Sequence, residues 1–361
     1  MMRWDLVLPP APCVLATLVN VIGSSYRQPG ARMLIHQDGS HVGTLSGGCL
    51  ERDIAREAWP LTADGAAVAT YDTRADAFLP NGRYGSGCDG VVHVLLQRHP
   101  GQLPCDVAAA LADHDQDYVL LQLWEGTATD IGHSALWRNG QWLSACPLPD
   151  QLLNEPLAEV VSTRRSARLR SGERRALLEF LPARPELLLI GAGFDARALA
   201  ELAMTLGWRV RIASPDPLKL TSLPATLDRH VLQDATLQDI AVGPACHIVI
   251  MTHQLELDLG IVRAALDSPA PYVGLLGPKP RTRRLLQRWH AEGSLPSAAA
   301  LAKLRTPVGL DLGSEDPRGV ALSILAEIVA VAHGRSGGPL GARSDAIHTP
   351  LREFTLPETV A

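Results

Sequence analysis

The chain has 361 residues, of which 46% are hydrophobic and 20% charged, and its formal net charge is −5. That composition describes a folded globular protein of two or three domains, not a disordered chain, and the acidic balance argues against a nucleic-acid binder held by counterion release. No stretch reaches the ~20 apolar residues of a membrane helix, since Glu327 breaks the run from Val320 to Val331.

The first hundred residues read as mixed α/β. A β-branched strand from Val14 to Ile22 ends in Gly23-Ser24-Ser25, and strands Ala31–His36 and His41–Leu45 flank a hairpin turn at Gln37-Asp38-Gly39-Ser40. A glycine-rich turn, Ser46-Gly47-Gly48-Cys49, then opens a helix over Leu50–Trp59. Strands follow at Ala66–Tyr71 and Val91–Gln97, around a polar loop rich in Gly and Asp. Beyond Pro100 come an Ala-rich helix near Val107–Asp113, a strand at Tyr118–Trp124 and a hairpin turn at Asn139-Gly140. The arginine run from Arg164 to Arg175 reads as a solvated face, and Pro182 and Pro185 mark a linker.

From Glu186 the pattern becomes strand, glycine turn, helix, strand. Leu187–Ile190 suits a central parallel strand, followed by Gly191-Ala192-Gly193, a helix over Ala196–Leu206 and a strand over Trp208–Ala213. Further strands are predicted at His247–Met251 and Tyr272–Leu275, with helices at Asp258–Leu266, Thr282–Ala291 and Pro317–Ala332. The expected fold class is α/β: an N-terminal mixed α/β domain and a C-terminal Rossmann-like, doubly wound parallel sheet. The expected divisions are 11–97, an intermediate region 98–182, 183–332, and a tail 333–361 whose Gly-Arg-Ser-Gly-Gly stretch reads as flexible.

The six cysteines, at 13, 49, 88, 105, 146 and 246, contain no CxxC pair and are too sparse for a secreted disulfide framework. Pro9, Pro10 and Pro12 behind Asp5 spoil a signal-peptide pattern, so a reducing cytoplasm is the expected setting. Cys49 stands out among these thiols. Its glycines permit close approach of a ligand to the backbone, and the unpaired amides of a helix start attract an anion and lower a thiol's pKa. The same position also suits a small buried cysteine beside a tight turn.

Gly191 and Gly193 lie between strand and helix, as a phosphate-binding fingerprint requires, with Ala196 as the third small residue. A dinucleotide site also needs an acidic residue at the end of the second strand. Ser214 stands there, with Asp216 two residues beyond. The glycines therefore fit either NAD(P) binding or a tight turn alone. His253 follows the strand ending at Met251, on the edge where such sheets bind ligands. The cluster Lys279, Arg281, Arg283 and Arg284 reads either as phosphate or partner recognition or as a charged helix surface.

Taken in order, the blocks Gly23-Ser24-Ser25-Tyr26-Arg27-Gln28-Pro29-Gly30-Ala31-Arg32-Met33, Gly43-Thr44-Leu45-Ser46-Gly47-Gly48-Cys49-Leu50-Glu51, the Gly191 turn, Met251-Thr252-His253, Tyr272-Val273-Gly274-Leu275-Leu276-Gly277 and Val308-Gly309-Leu310-Asp311-Leu312-Gly313 resemble the XdhC/CoxI family. Its members are accessory proteins of molybdenum hydroxylases such as xanthine dehydrogenase. The resemblance implies a maturation factor rather than an enzyme. Such a factor binds the molybdenum cofactor, as molybdopterin or its dinucleotide form, supports its sulfuration with a cysteine desulfurase, and passes it to an apo molybdenum hydroxylase. A homodimer is also implied. Carried onto this chain, the resemblance makes Cys49 the metal ligand or sulfur relay and Cys88 a second thiol. Ser46, Gly47 and Gly48 become the phosphate cradle, Arg27 and Arg32 further phosphate contacts, and Gly191, Gly193 and His253 cofactor contacts of the second domain.

The chain departs from the family pattern in several places. Gly85-Ser86-Gly87-Cys88-Asp89-Gly90 replaces a Gly-Leu-Gly-Cys-Gly-Gly block, Phe194 stands for a usual His, and Ser214 for a usual Asp. Two alternatives also fit the sequence: an NAD(P)-dependent oxidoreductase using the Gly191 turn with His253 as acid–base, and a redox switch formed by Cys49 and Cys88.

Overall fold

The computed structural model describes residues 7–48, 50–74, 90–221, 223–224, 226–234, 236–344 and 346–357. Cys49, Cys88 and Asp89 lie outside the described residues. The chain divides into two compact units, one running to Ala183 and resuming at Ala346, the other spanning Arg184–Asp345.

The first unit contains two sheets. Strands β1 (Cys13–Gly23), β2 (Arg32–His36), β3 (His41–Gly43), β4 (Ala67–Asp72) and β5 (Gly90–His99) form an antiparallel sheet of order β3-β2-β1-β5-β4. Helix α1 (Glu51–Leu61) packs Leu50, Ile54 and Ala58 onto one face, against Val14, Ala16 and Leu18 of β1. The alternate residues Cys13 and Leu15 point the opposite way, into a core shared with the second sheet. Because β1 is buried on both faces, it reads as a continuous apolar run without alternation.

The second sheet has the order β17-β9-β10-β6-β7-β8, from β6 (Tyr118–Glu125), β7 (Ser134–Arg138), β8 (Gln141–Trp142), β9 (Ala167–Ser171), β10 (Arg174–Leu181) and β17 (Arg352–Leu356). Helix α2 (Cys105–Ala112) contributes Val107 and Leu111 to the core between the sheets, and α3 (Asp150–Thr163) packs Leu153, Leu157 and Val160 against the outer face. The unit is thus layered as helix, sheet, sheet, helix. The arginine run expected as a solvated face is the hairpin β9–β10, in which Ala167, Leu169, Ala176 and Leu178 are buried between the arginines. Within the expected tail, residues 352–356 form a strand parallel to β9.

A β-bulge interrupts the pairing of β1 with β5 between Leu18 and Asn20. It breaks the alternation, so that consecutive residues Val19 and Asn20 both meet the second sheet. Val19 packs with Trp124 and Leu177, and Asn20 accepts a hydrogen bond from Arg168.

The second unit is a six-stranded, all-parallel sheet of order β13-β12-β11-β14-β15-β16. Its elements are β11 (Glu186–Ile190), α4 (Phe194–Thr205), β12 (Arg209–Ser214), α5 (Pro217–Thr221), β13 (Asp228–Val231) and β14 (Cys246–Ile250), followed by α6 (Leu255–Asp267), β15 (Tyr272–Leu275), α7 (Lys279–Ala291), α8 (Ala298–Leu301), β16 (Leu304–Arg305) and α9 (Pro317–Ala332). Helices α4 and α9 cover one face, α6 and α7 the other. This is the Rossmann strand order, and the direction of winding reverses between β11 and β14. Among the described residues no helix is long and apolar enough to cross a membrane.

Candidate functional site

The glycine loop before α1 is built around a carboxylate of its own chain. Glu51, the first residue of α1, is 4% exposed. Its Oε1 accepts hydrogen bonds from Thr44 Oγ1 (2.6 Å), Leu45 N (2.8 Å) and Ser46 N (2.8 Å), and its Oε2 from Ser46 Oγ (2.7 Å) and Gly48 N (2.9 Å). Gly47 N donates to Thr44 Oγ1, and Leu50 N to Ser46 Oγ. Burial by itself raises the carboxyl pKa, but the hydroxyls of Thr44 and Ser46 and the amides of Ser46 and Leu45 outweigh it and bring the value down to about 2. The loop does bind an anion, and that anion is Glu51. The amides of Ser46, Gly47 and Gly48, expected to cradle a phosphate, all have partners inside the loop.

A second loop, from Gly23 to Gly30, lies against the first. The Tyr26 ring covers Gly47 so closely that a Cβ there would stand 3.2 Å from Tyr26 Cδ1, and Gly47 has φ +84°. Arg27 follows, half-buried, with its guanidinium 5.5 Å from the Tyr26 ring centroid. Between the loops opens a cleft of about 460 Å³ lined by Tyr26, Arg27, His41, Gly47, Gly48 and Arg52 among others. Arg27 Nε is buried and makes no hydrogen bond with any described residue. Arg52 and His41 are exposed on the rim. Glu51 is the one acidic residue in the described lining, and its oxygens face the loop amides. The cleft therefore presents cationic side chains to an anionic guest.

Arg32 is not part of that cleft. It is 6% exposed, and its guanidinium makes a two-pronged ion pair with Glu179 of β10, through Nη1 (2.8 Å) and Nη2. Nη1 also donates to the Gly30 carbonyl at 3.0 Å. Arg32 shares its side of β2 with Leu34, which faces the second sheet, so strand alternation turns it inward, where it fastens the end of the Tyr26–Arg27 loop. Arg27 stays at the cleft; Arg32 holds the scaffold.

In the second unit the sequence-selected residues take several structural roles. Gly191 has φ +123°, and a Cβ on it would meet Met251 O at 2.6 Å, so it lets the β11–α4 turn pass close to the end of β14. Gly193 is exposed at the N-cap of α4, with open space around a notional Cβ and no side-chain cap. Phe194, the first residue of α4, is 87% exposed. His253 is exposed with φ +60°. Ser214 is buried, and its hydroxyl accepts from Asp216 N, while Asp216 Oδ1 accepts from Leu218 N at the start of α5. Asp216 thus caps a helix. The basic cluster is partly internal, since Arg281 pairs with fully buried Asp258, which also accepts from Thr252. Tyr272 and Gly309 N both donate to Glu327, tying the Val308–Gly313 segment to α9.

The sequence reading missed Glu51, Glu179, His41 and Arg52. A carboxylate at the first turn of a helix, behind a run of Thr, Ser and Gly donors, is the signal that marks Glu51. Nothing local marks Glu179, whose partner lies on another sheet. Among the described thiols, burial pushes Cys146 up to about 11 and Cys246 up to about 12, and raises Cys13 as well, so these three are poor nucleophiles. No group of three or more potential metal ligands occurs among the described residues.

Two family models match stretches of these two units. The XdhC and CoxI family model matches residues 9–72, and the XdhC Rossmann domain model matches residues 187–328. The chain is 30% identical over 341 residues to a probable xanthine dehydrogenase subunit of Bacillus subtilis, covering 88% of this chain and 92% of that one. It is 27% identical over 325 residues to the molybdenum cofactor insertion chaperone PaoD of Escherichia coli, covering 88% and 83% respectively. A crystal structure described as a xanthine dehydrogenase from Bacillus halodurans shares the fold, with a TM-score of 0.71, 24% identity and coverage of 95% of this chain and 98% of that one. The chain belongs to the XdhC/CoxI family.

Proposed function

We propose that this protein carries the molybdenum cofactor. It binds the cofactor as cargo in the first unit, supports its sulfuration together with a cysteine desulfurase, and delivers it to an apo molybdenum hydroxylase of the xanthine dehydrogenase type. The observation that carries this reading is the cleft where Arg27, Arg52 and His41 stand beside the loop that leads into Cys49. The Escherichia coli relative, named as a molybdenum cofactor insertion chaperone, supports it.

The residues present fit the cargo's chemistry. A pterin phosphate is an anion, and the guanidinium of Arg27, which lines the cleft, suits charge-assisted contact with phosphate oxygens. Gly48 faces open space, so a ligand can approach the backbone there without meeting a side chain. Molybdenum and its dithiolene are soft, and a thiolate is the matching protein donor. We assign that role, or relay of sulfur, to Cys49, with Cys88 as the second thiol. Phosphate recognition passes from the loop amides to the side chains of Arg27, Arg52 and His41. Gly193 and His253, exposed at the carboxyl edge of the Rossmann sheet, are the residues that a nucleotide would meet in the second unit.

The test is anaerobic titration of the purified protein with molybdenum cofactor, followed by transfer to an apo-hydroxylase. Arg27→Ala is expected to weaken binding about tenfold, and Cys49→Ala to abolish activation of the hydroxylase. Wild-type binding and activation by both variants would overturn the assignment. Light scattering of the purified protein tests the homodimer.

A further inference from the structure

The cleft of the first unit has a larger neighbour. A groove of about 980 Å³ runs from the end of β1 to the returning segment 346–351, and its lining shares Tyr26 and Arg27 with the cleft. Its apolar walls include Ile22, Ile347 and Leu351, and Arg168 lies in the same lining. No Asp or Glu lines the groove among the described residues. Arg168 keeps a buried Nε without a hydrogen-bond partner, while its other nitrogens reach Asn20 Oδ1 at 3.3 Å and Glu353 Oε2 at 3.5 Å. The bulge in β1 is what turns Asn20 toward this groove. Pairing of β17 with β9 anchors the segment that forms the opposite wall.

Both volumes fall in the range of small-molecule sites, roughly 300–1,000 Å³. They meet at one cation and one exposed aromatic ring. The two lining sets also differ in kind. The cleft offers Arg27, Arg52 and His41, which suit a compact anion, whereas the groove offers aliphatic and aromatic surface with scattered polar groups. That second combination suits a planar heteroaromatic ring, whose faces pack on apolar side chains and on Tyr26 while its edge takes hydrogen bonds.

We propose that cleft and groove are two subsites of one elongated anionic ligand, with its planar ring system in the groove and its phosphate at Arg27, Arg52 and His41. The ligand's identity rests on the cargo reading above, which makes the ring a pterin and the anion its phosphate. Segment 346–351 is then a wall of the binding site, and the return of the chain to the first unit completes it.

Ile22 and Ile347 are 54% and 57% exposed, so substitution there leaves the core intact. Titration with molybdenum cofactor compares wild type with Ile22→Glu, Ile347→Glu and Ile347→Arg, each checked for an unchanged melting temperature. The expected result is binding weakened about tenfold by all three, with the two charges at position 347 acting alike because both block an apolar wall. If Ile347→Glu weakens binding and Ile347→Arg strengthens it, only long-range charge is at work and the groove is no subsite. If all three bind like wild type while Arg27→Ala binds weakly, the groove proposal fails and the cargo reading stands. Absence of cofactor binding by wild type sinks both.

Discussion

Two helix starts in this chain are rich in glycine and are built in opposite ways. At α1 the loop folds over Glu51, and its described amides from Leu45 to Leu50 all find acceptors within the loop. At α4 the helix opens on exposed Phe194, with Gly193 as an N-cap that supplies no side-chain acceptor. The difference lies in the first helical residue. A carboxylate there closes the anion site from within, whereas α4 begins with an apolar residue and carries its first-turn carboxylate, Asp195, one position later. Glycine in such a turn therefore announces a tight backbone and says nothing about whether its amides are free. In the first unit the internal anion occupies the loop amides, which is why the proposed phosphate contacts are side chains around the rim.

The largest expected effect tests the fastening of the Tyr26–Arg27 loop. Arg32→Ala leaves Glu179 buried without its cation, a change that costs about 4 kcal/mol when a buried pair is broken from one side. Urea unfolding measures that loss, and cofactor affinity should fall with it because the loop carrying Arg27 is released. A variant as stable as wild type would show that Arg32 fastens nothing. Glu51→Ala comes next, at about 3 kcal/mol, since it strands several loop donors that had a charged acceptor. Glu51→Gln keeps the shape and loses the charge, so its cost is smaller.

The same carboxylate gives a pH signature. Its folded value of about 2 lies below the ordinary 4.5, so its contribution is complete above the ordinary value and is lost as pH falls through about 2. Between pH 4.5 and 2, wild type should lose stability more steeply than Glu51→Gln. Parallel curves from urea titrations across that window would mean that the loop does not prefer the ionised form.

Much of this was legible in the sequence. Leu187–Ile190, Tyr272–Leu275 and the helix Pro317–Ala332 are strongly patterned and stand where the residues placed them. The β9–β10 hairpin was not, because its arginines mask a period of two in which only Ala167, Leu169, Ala176 and Leu178 are apolar on the inner face. Strand β17 was missed for another reason, as its partner β9 lies far back in the chain. At the candidate site the sequence picked out loops that line the cleft but misjudged which groups in them are free. Arg32 and Arg27 look alike in a linear string. Only the packing of a second sheet over β2 makes one of them an internal tie.

The smallest effects sharpen the contrast at the second helix start. Gly191→Ala should cost about 2 kcal/mol, because φ +123° is strained for any side chain and the new Cβ would press on Met251 O. Gly193→Ala should change stability by less than about 0.5 kcal/mol, since its φ is −80° and a Cβ there meets nothing. That near-neutral substitution is the cleanest probe of the oxidoreductase alternative. A dinucleotide seated on α4 needs its pyrophosphate against the backbone at this glycine, so a methyl group would obstruct it without disturbing the fold. Ser214 already lacks the carboxylate that reads ribose hydroxyls. If NAD(P) binds wild type tightly and Gly193→Ala abolishes that binding, the open helix start serves a nucleotide. If neither protein binds NAD(P) while both still bind molybdenum cofactor, the open N-terminus of α4 is a feature of the turn, and ligand recognition belongs to the unit whose glycine loop is closed.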